Sequence, residues 1–286
     1  MKIFITGITG FVGSRVAAKL LESGQEVMGL VRKESDKLAM TEKGYRVILA
    51  DIDNYEAYLK ELVHCDAIFH GAAATRTSWQ KKNQQFIQVV SDALAGSGKV
   101  LAMQGGTIVF GDTGNNIVAE QDAVYAPPPT LVERAVLEQN FLNLRNRDIR
   151  TCIFYGSLVY GAEGAAIPKI LEAAAQRDGY AAFVGNGDKK WSAIHVDDWA
   201  DLIAKGIQHS APFGKYFACT ELLSTFQMAV GIGQKLGLPT RSISIEELDD
   251  RWGIFSQPLA FSNQAFSGNL AKEHLGWKPK YRFGDS

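Results

Sequence analysis

Cysteine is scarce: Cys65, Cys152 and Cys219 are the only three among 286 residues. They are odd in number and lack metal-ligand spacing. This excludes a disulfide framework or zinc site and points to buried free thiols in the reducing cytoplasm. Charge of one sign is missing too. A net charge of −1 gives no electrostatic case for nucleic acid or an anionic membrane surface. No apolar run approaches the ~20 residues of a membrane span, and the N-terminus lacks the basic region of a signal peptide. Internal repeats, low-complexity tracts and long linkers are absent. With 46% hydrophobic residues, the chain can bury the core of one large domain, or one and a half.

Glycine is plentiful, and its placement at the start of the chain organises the rest. The apolar run Ile3 to Ile5 reads as a strand. It feeds Gly7-Ile8-Thr9-Gly10-Phe11-Val12-Gly13 and then a helical run from Ser14 to Glu22. Strand, glycine turn, helix is the opening unit of a dinucleotide-binding fold. Gly7 permits the tight turn, Gly10 admits a pyrophosphate to the backbone, and Gly13 lets the helix pack closely. The helix N-terminus offers amide donors and a positive dipole end to phosphate. Gly7, Thr9, Gly10, Phe11, Val12 and Gly13 are therefore candidate cofactor contacts.

A second strand, Glu26 to Val31, ends in Arg32-Lys33. An NAD-preferring fold carries Asp or Glu at this place to hold the ribose 2′-hydroxyl. A guanidinium instead grips a 2′-phosphate with two hydrogen bonds. Arg32 thus argues for NADP, with NAD as the second option. Glu34, close by, weakens the inference.

The G-x-x-G-x-x-G spacing, with Phe11-Val12 inside it, resembles the extended and atypical short-chain dehydrogenase/reductase superfamily, which includes nucleotide-sugar epimerases and dehydratases. The resemblance spans nearly the whole chain. It implies an α/β fold: a doubly wound, mainly parallel Rossmann-type sheet over residues 1–155, to which 188–219 returns. A smaller substrate lobe takes 156–187 and 220–286. It implies that Asp51, followed by Ile52, bonds the adenine amino group. Asp53 is read as the cap of a helix over 54–63. His70-Gly71-Ala72-Ala73 resembles the "H-x-A-A" strand end under the cofactor, with Gly71, Ala72 and Ala73 as contacts and His70 as a packed structural residue. The tail Lys272 to Pro279 resembles "K-x-x-x-x-L-G-W-x-P", which closes extended members.

The chemistry departs from the pattern. The superfamily's "S-S-x-x-V-Y-G-D" has Gly105 in the catalytic Ser place, with Thr107 the nearest hydroxyl. Its helix Y-x-x-x-K-x-x-x-E reads Thr130, Arg134 and Glu138 here, and no Y-x-x-x-K occurs anywhere in the chain. The helix itself reads as amphipathic, with Leu131, Ala135 and Leu142 beside Val132 and Val136. An aliphatic hydroxyl cannot be tuned near neutrality, and Arg134 can hold a ribose hydroxyl but cannot release a proton. "R-P-x-x-V-Y-G" has become Phe154-Tyr155 followed by Val159-Tyr160-Gly161. Trp191 replaces an Arg that in relatives meets a nucleotide diphosphate, which counts against a nucleotide-sugar substrate. His195 and Asp197-Asp198 read as a strand-to-helix junction with Asp capping the helix. The proton-donor candidates are Thr107, Tyr125, Tyr155 and Tyr160, and Thr130 and Arg134 complete the candidate catalytic residues. The implied activity is an NADP(H)-binding oxidoreductase or epimerase-like enzyme on a small carbonyl or sugar-like substrate, compatible with a homodimer. The alternative is a non-catalytic dinucleotide sensor or scaffold.

Overall fold

Ile3, Phe4 and Ile5 have no exposed surface, so the first strand is covered on both faces, as the inner strands of a parallel sheet are. The computed structural model describes residues 1–72, 77–161, 165–210 and 214–284. The chain divides into two units, Met1–Gly105 with Pro129–Tyr155 and Ala200–Tyr216, and Gly106–Pro128 with Gly156–Trp199 and Phe217–Ser286.

The first unit alternates strand and helix: β1 (Lys2–Thr6), α1 (Gly13–Glu22), β2 (Glu26–Val31), α2 (Glu34–Glu42), β3 (Arg46–Leu49), α3 (Leu59–Leu62), β4 (Ala67–His70), α4 (Thr77–Leu94), β5 (Val100–Gly106), α5 (Val132–Asn143) and β6 (Arg150–Gly156). Further on come β7 (Leu158–Tyr160), α6 (Ala166–Asp178), β8 (Ala181–Val184), β9 (Lys190–His195), α7 (Val196–Gln208), β10 (Lys215–Ala218), β11 (Glu221–Ser224), α8 (Thr225–Leu236), β12 (Thr240–Ile243), α9 (Ser256–Phe261) and α10 (Asn269–Leu275). A seven-stranded sheet runs in the order β10-β6-β5-β4-β1-β2-β3. Its pairings β1–β2, β1–β4, β2–β3 and β4–β5 are all parallel. The order reverses beside β1, whose carboxyl end carries the glycine turn, the place where doubly wound sheets take ligands.

The second unit holds a three-stranded sheet, β11-β9-β7, and the pair β12-β8. Its core gathers Leu158, Trp191, Leu223, Met228, Ile243 and Trp252. Helix α8 starts with a capping box, in which Ser224 Oγ accepts from the Gln227 amide and Gln227 reaches back to the Ser224 amide. It stops at Gly237, whose φ of 66° is left-handed, as a glycine after a helix allows.

Four local expectations are corrected. The helix over 54–63 is broken into a 3-10 turn, Tyr55–Ala57, and the short α3, because Tyr58 is buried and its hydroxyl donates to the Ile52 carbonyl. Asp53 caps nothing there; its carboxylate meets Lys82 at 2.7 Å. Val132 and Val136 are about half exposed, and α5 buries Ala135, as expected, together with Glu138 and Phe141. Residues 106–128 group with the second unit, and the segment returning to the first is Ala200–Tyr216. The reason lies in backbone pairing, since the Thr113 and Val118 amides donate to the Asn263 and Ala265 carbonyls.

Candidate active site

The glycine turn is made of backbone, and its sterics explain each residue type. Gly7 has φ 71°, and a Cβ there would lie 2.8 Å from the Ala72 nitrogen. The turn thus presses on the end of β4, bringing Gly71 and Ala72 beside Gly7. The Gly10 amide closes the turn on the Gly7 carbonyl at 2.8 Å. A Cβ at Gly13 would stand 2.1 Å from the Gly7 carbonyl oxygen, so only glycine lets α1 begin there. Thr9 and Gly10 are exposed, Phe11 and Val12 half-buried, and no acidic residue occupies the first turn of α1. Arg15 donates to the Phe11 carbonyl at 2.8 Å, and its guanidinium lies 4.9 Å from the Phe11 ring centre.

Beneath the turn is a buried polar chain. Thr6 Oγ1 and His70 Nδ1 are 2.7 Å apart, and His70 Nε2 lies 3.2 Å from Asn83 Oδ1. Assigning the ring proton to Nε2 satisfies Asn83 as acceptor and leaves Nδ1 to accept from Thr6. Burial lowers the His70 pKa to about 4, and the ring stacks on Phe86 at 4.6 Å. His70 is therefore a neutral structural residue that ties β1 to β4. Ala73 lies outside the described residues.

Arg32 is exposed at the end of β2. The neighbouring Glu34 carboxylate meets Lys37 at 3.2 Å. Asp51 Oδ1 accepts from the Ile52 amide at 2.7 Å, and Oδ2 meets Lys82 at 3.2 Å. Lys82 therefore bridges Asp51 and Asp53, and its hydrogen bond is the main cause that lowers the Asp53 pKa. Nothing in the sequence signals Lys82, which lies 31 positions from Asp51. Gln104 was missed as well: its Nε2 donates to the Gly71 carbonyl at 3.1 Å, and its Oε1 is buried without a partner among the described residues.

Thr130 is exposed in the 3-10 turn Pro129–Leu131, ahead of the helix α5. Arg134 Nε donates to Glu138 Oε1 at 2.9 Å. Glu138 is fully buried, and burial raises its pKa against the opposing pull of Arg134 and of a hydrogen bond from Tyr155. Tyr155 is itself fully buried. A Cβ at Gly105 would lie 2.5 Å from the Tyr155 ring, so the tyrosine occupies the room that a side chain at 105 needs.

The remaining candidates lie in the second unit. Thr107 is buried and donates to Gln264 Oε1 at 3.0 Å. The Tyr125 ring packs 4.8 Å from Phe110. Tyr160 donates to Glu221 Oε1 at 3.1 Å, and burial together with that carboxylate raises its pKa. His195 is sandwiched by Tyr281 at 4.0 Å and the edge of Tyr160. The capping assignment for Asp197-Asp198 is corrected, because α7 starts at Val196. His195 Nδ1 accepts from the Asp197 amide at 3.2 Å, while the Asp198 carboxylate accepts from the Lys280 and Tyr281 amides at 2.9 Å. Trp191 is buried and donates to the Ser262 carbonyl at 3.0 Å.

A profile of the NAD dependent epimerase/dehydratase family matches residues 3–217. The uncharacterized protein C2A9.02 of Schizosaccharomyces pombe is 30% identical over 98% of this chain and 96% of its own. A 2-alkyl-3-oxoalkanoate reductase of Shewanella oneidensis is 24% identical over 69% of this chain and 54% of its own length. Among solved structures, a dTDP-glucose 4,6-dehydratase mutant from Streptomyces venezuelae with NAD bound superposes with a TM-score of 0.78 at 19% identity, covering 100% of this chain and 94% of that one. A UDP-glucuronic acid 4-epimerase from Bacillus cereus in complex with NAD gives 0.75 at 17%, covering 100% and 95%. The glycine turn, the parallel sheet and these matches agree: the chain belongs to the NAD-dependent epimerase/dehydratase family, a group of NAD-binding, oxidoreductase-like proteins.

Proposed function

We propose that the chain binds NADP(H) on its first unit and acts as an oxidoreductase on a small carbonyl compound. The observation that carries this reading is the pairing of an intact glycine turn with Arg32 at the end of β2, where an NAD-preferring fold has a carboxylate. Glu34, an acid close to Arg32 in sequence that argues otherwise, is engaged with Lys37. On this reading the turn amides and the N-terminus of α1 receive the pyrophosphate, Arg32 receives the 2′-phosphate, and Asp51 with Ile52 faces adenine. Gly71 and Ala72 underlie the ribose, and Arg134 holds a ribose hydroxyl. The dinucleotide supplies the hydride.

Trp191 supports the choice of substrate class. Its buried indole fills the place that relatives give to an arginine for a nucleotide diphosphate, so a nucleotide sugar is disfavoured. The likeness to a 2-alkyl-3-oxoalkanoate reductase points the same way, toward a ketone. Proton delivery does not run through the usual Ser-Tyr-Lys set, since positions 105, 130 and 134 hold Gly, Thr and Arg. The half-exposed Val132 and Val136 on α5 suit a homodimer, and three unpaired buried thiols suit the reducing cytoplasm. The test is fluorescence titration with NADPH and NADH, followed by NADPH oxidation over a panel of small ketones and nucleotide sugars. Tighter NADPH binding with turnover on ketones is expected. Brisk turnover of a nucleotide sugar overturns the substrate reading, and equal affinities overturn the cofactor reading.

A further inference from the structure

Three residues of the first unit form a buried cluster for which the family pattern gives no assignment as a group. Glu138 sits one turn after Arg134 on α5 and has no exposed surface, whereas the Arg134 side chain keeps 24% of its own. One carboxylate oxygen of Glu138 accepts from Arg134 Nε, and Tyr155 of β6 donates to the same carboxyl group. Its other oxygen, Oε2, is buried with no partner among the described residues. A buried carboxyl group with an unpartnered oxygen is costly to keep, and leucine at this helix position would avoid that cost. The Tyr155 ring is held in turn by the absence of a side chain at Gly105, whose Cβ would overlap it. The arrangement has direction: Gly105 admits the ring, the ring places a hydroxyl on Glu138, and Glu138 takes the Nε edge of the guanidinium. A guanidinium held by Nε presents its terminal nitrogens in one plane.

We propose that Glu138 and Tyr155 are positioning residues for Arg134, fixing the guanidinium that stands where the family has lysine. This rests on the reading above in which Arg134 holds a ribose hydroxyl of the dinucleotide. Arg134 is the contact residue, and the other two act through it.

A double-mutant cycle on NADPH affinity, read by fluorescence titration of the full chain, separates the two levels. Arg134→Ala is expected to weaken binding about tenfold, the size of one charge-assisted hydrogen bond. Glu138→Gln keeps the shape, removes the charge and is expected to weaken binding about three- to tenfold. Beside Arg134→Ala, Glu138→Gln is expected to add less than about twofold, because the group it acts through is gone. Tyr155→Phe follows the same pattern with a smaller effect and carries the cycle if Glu138→Gln does not fold. A Glu138→Gln effect that persists undiminished beside Arg134→Ala shows a general structural role and overturns the proposal. So does unchanged affinity in both Glu138→Gln and Tyr155→Phe while Arg134→Ala weakens binding; the reading of Arg134 then stands. Unchanged affinity in Arg134→Ala overturns that reading and the positioning proposal with it.

Discussion

The glycine turn after β1 and the helix α5 belong to one unit and are constrained differently. The turn keeps every glycine, and each is enforced by backbone atoms: Gly7 against the Ala72 nitrogen, Gly13 against the Gly7 carbonyl. Helix α5 is held by side chains: it buries Ala135, Glu138 and Phe141, and Arg134 pairs with Glu138. The difference teaches where constraint comes from. A backbone site tolerates no new Cβ whatever the chemistry, whereas a side-chain site can be refilled provided the volume and the hydrogen bonds close. The Tyr155 ring beside Gly105 closes its volume in this way.

The comparison breaks first at Gly13. A methyl group there would lie 2.1 Å from a carbonyl oxygen, and neither the helix nor the turn can move without the other. Gly13→Ala is expected to cost about 4 kcal/mol or more and to abolish dinucleotide binding. Denaturant unfolding within about 1 kcal/mol of the wild type would mean that the turn is not sterically locked.

Next in size is the support under the turn. The His70 pKa is lowered to about 4 by burial, while an unfolded chain has an ordinary imidazole near 6.5. A depressed folded value means that the unfolded state binds the proton first. Stability is therefore full above pH 6.5 and falls as pH drops through about 4, by roughly 3 kcal/mol at the limit. Unfolding titrations between pH 7.5 and 4, compared with His70→Gln, should show this slope in the wild type alone. Parallel curves would remove His70 from the account.

Much of this half was legible because its signals are local. Glu26–Val31 was placed to the residue. Fold class followed from strand and helix alternating with glycine punctuation. Where partners are distant in sequence, legibility fails. Asp53 looked like a cap until Lys82 was beside it, and Asp198 until the amides of Lys280 and Tyr281 were. For α5 the apolar pattern pointed to Ala135, which is buried, but also to Val132 and Val136, whereas the buried row includes Glu138. A buried carboxylate is invisible to hydrophobic periodicity, and its partner Tyr155 lies on a different strand.

Arg32 sharpens the comparison at the side-chain rim of the glycine site. If its guanidinium takes the 2′-phosphate, Arg32→Ala should erase about 1.5–3 kcal/mol of preference, a ten- to hundredfold effect on NADPH affinity. NADH affinity should stay nearly constant. Equal losses for the two dinucleotides would move Arg32 from recognising the 2′-phosphate to a general role in the fold.

The smallest expected effect is at Thr130, which the proposed reading aligns with the family's tyrosine. Its side chain is exposed, it precedes α5 in a 3-10 turn, and an aliphatic hydroxyl has no ionisation near neutrality to lend. Surface substitutions of this type shift stability by no more than about 0.5 kcal/mol. NADPH-linked turnover on a responsive ketone should likewise change less than about twofold in Thr130→Ala. Removing a true general acid costs about 10²–10⁴-fold, so the two outcomes are far apart. A hundredfold loss with unchanged NADPH affinity would make Thr130 the donor. Side-chain chemistry at the start of α5 would then matter to function as much as the backbone of the glycine turn does, and the contrast between the two would narrow.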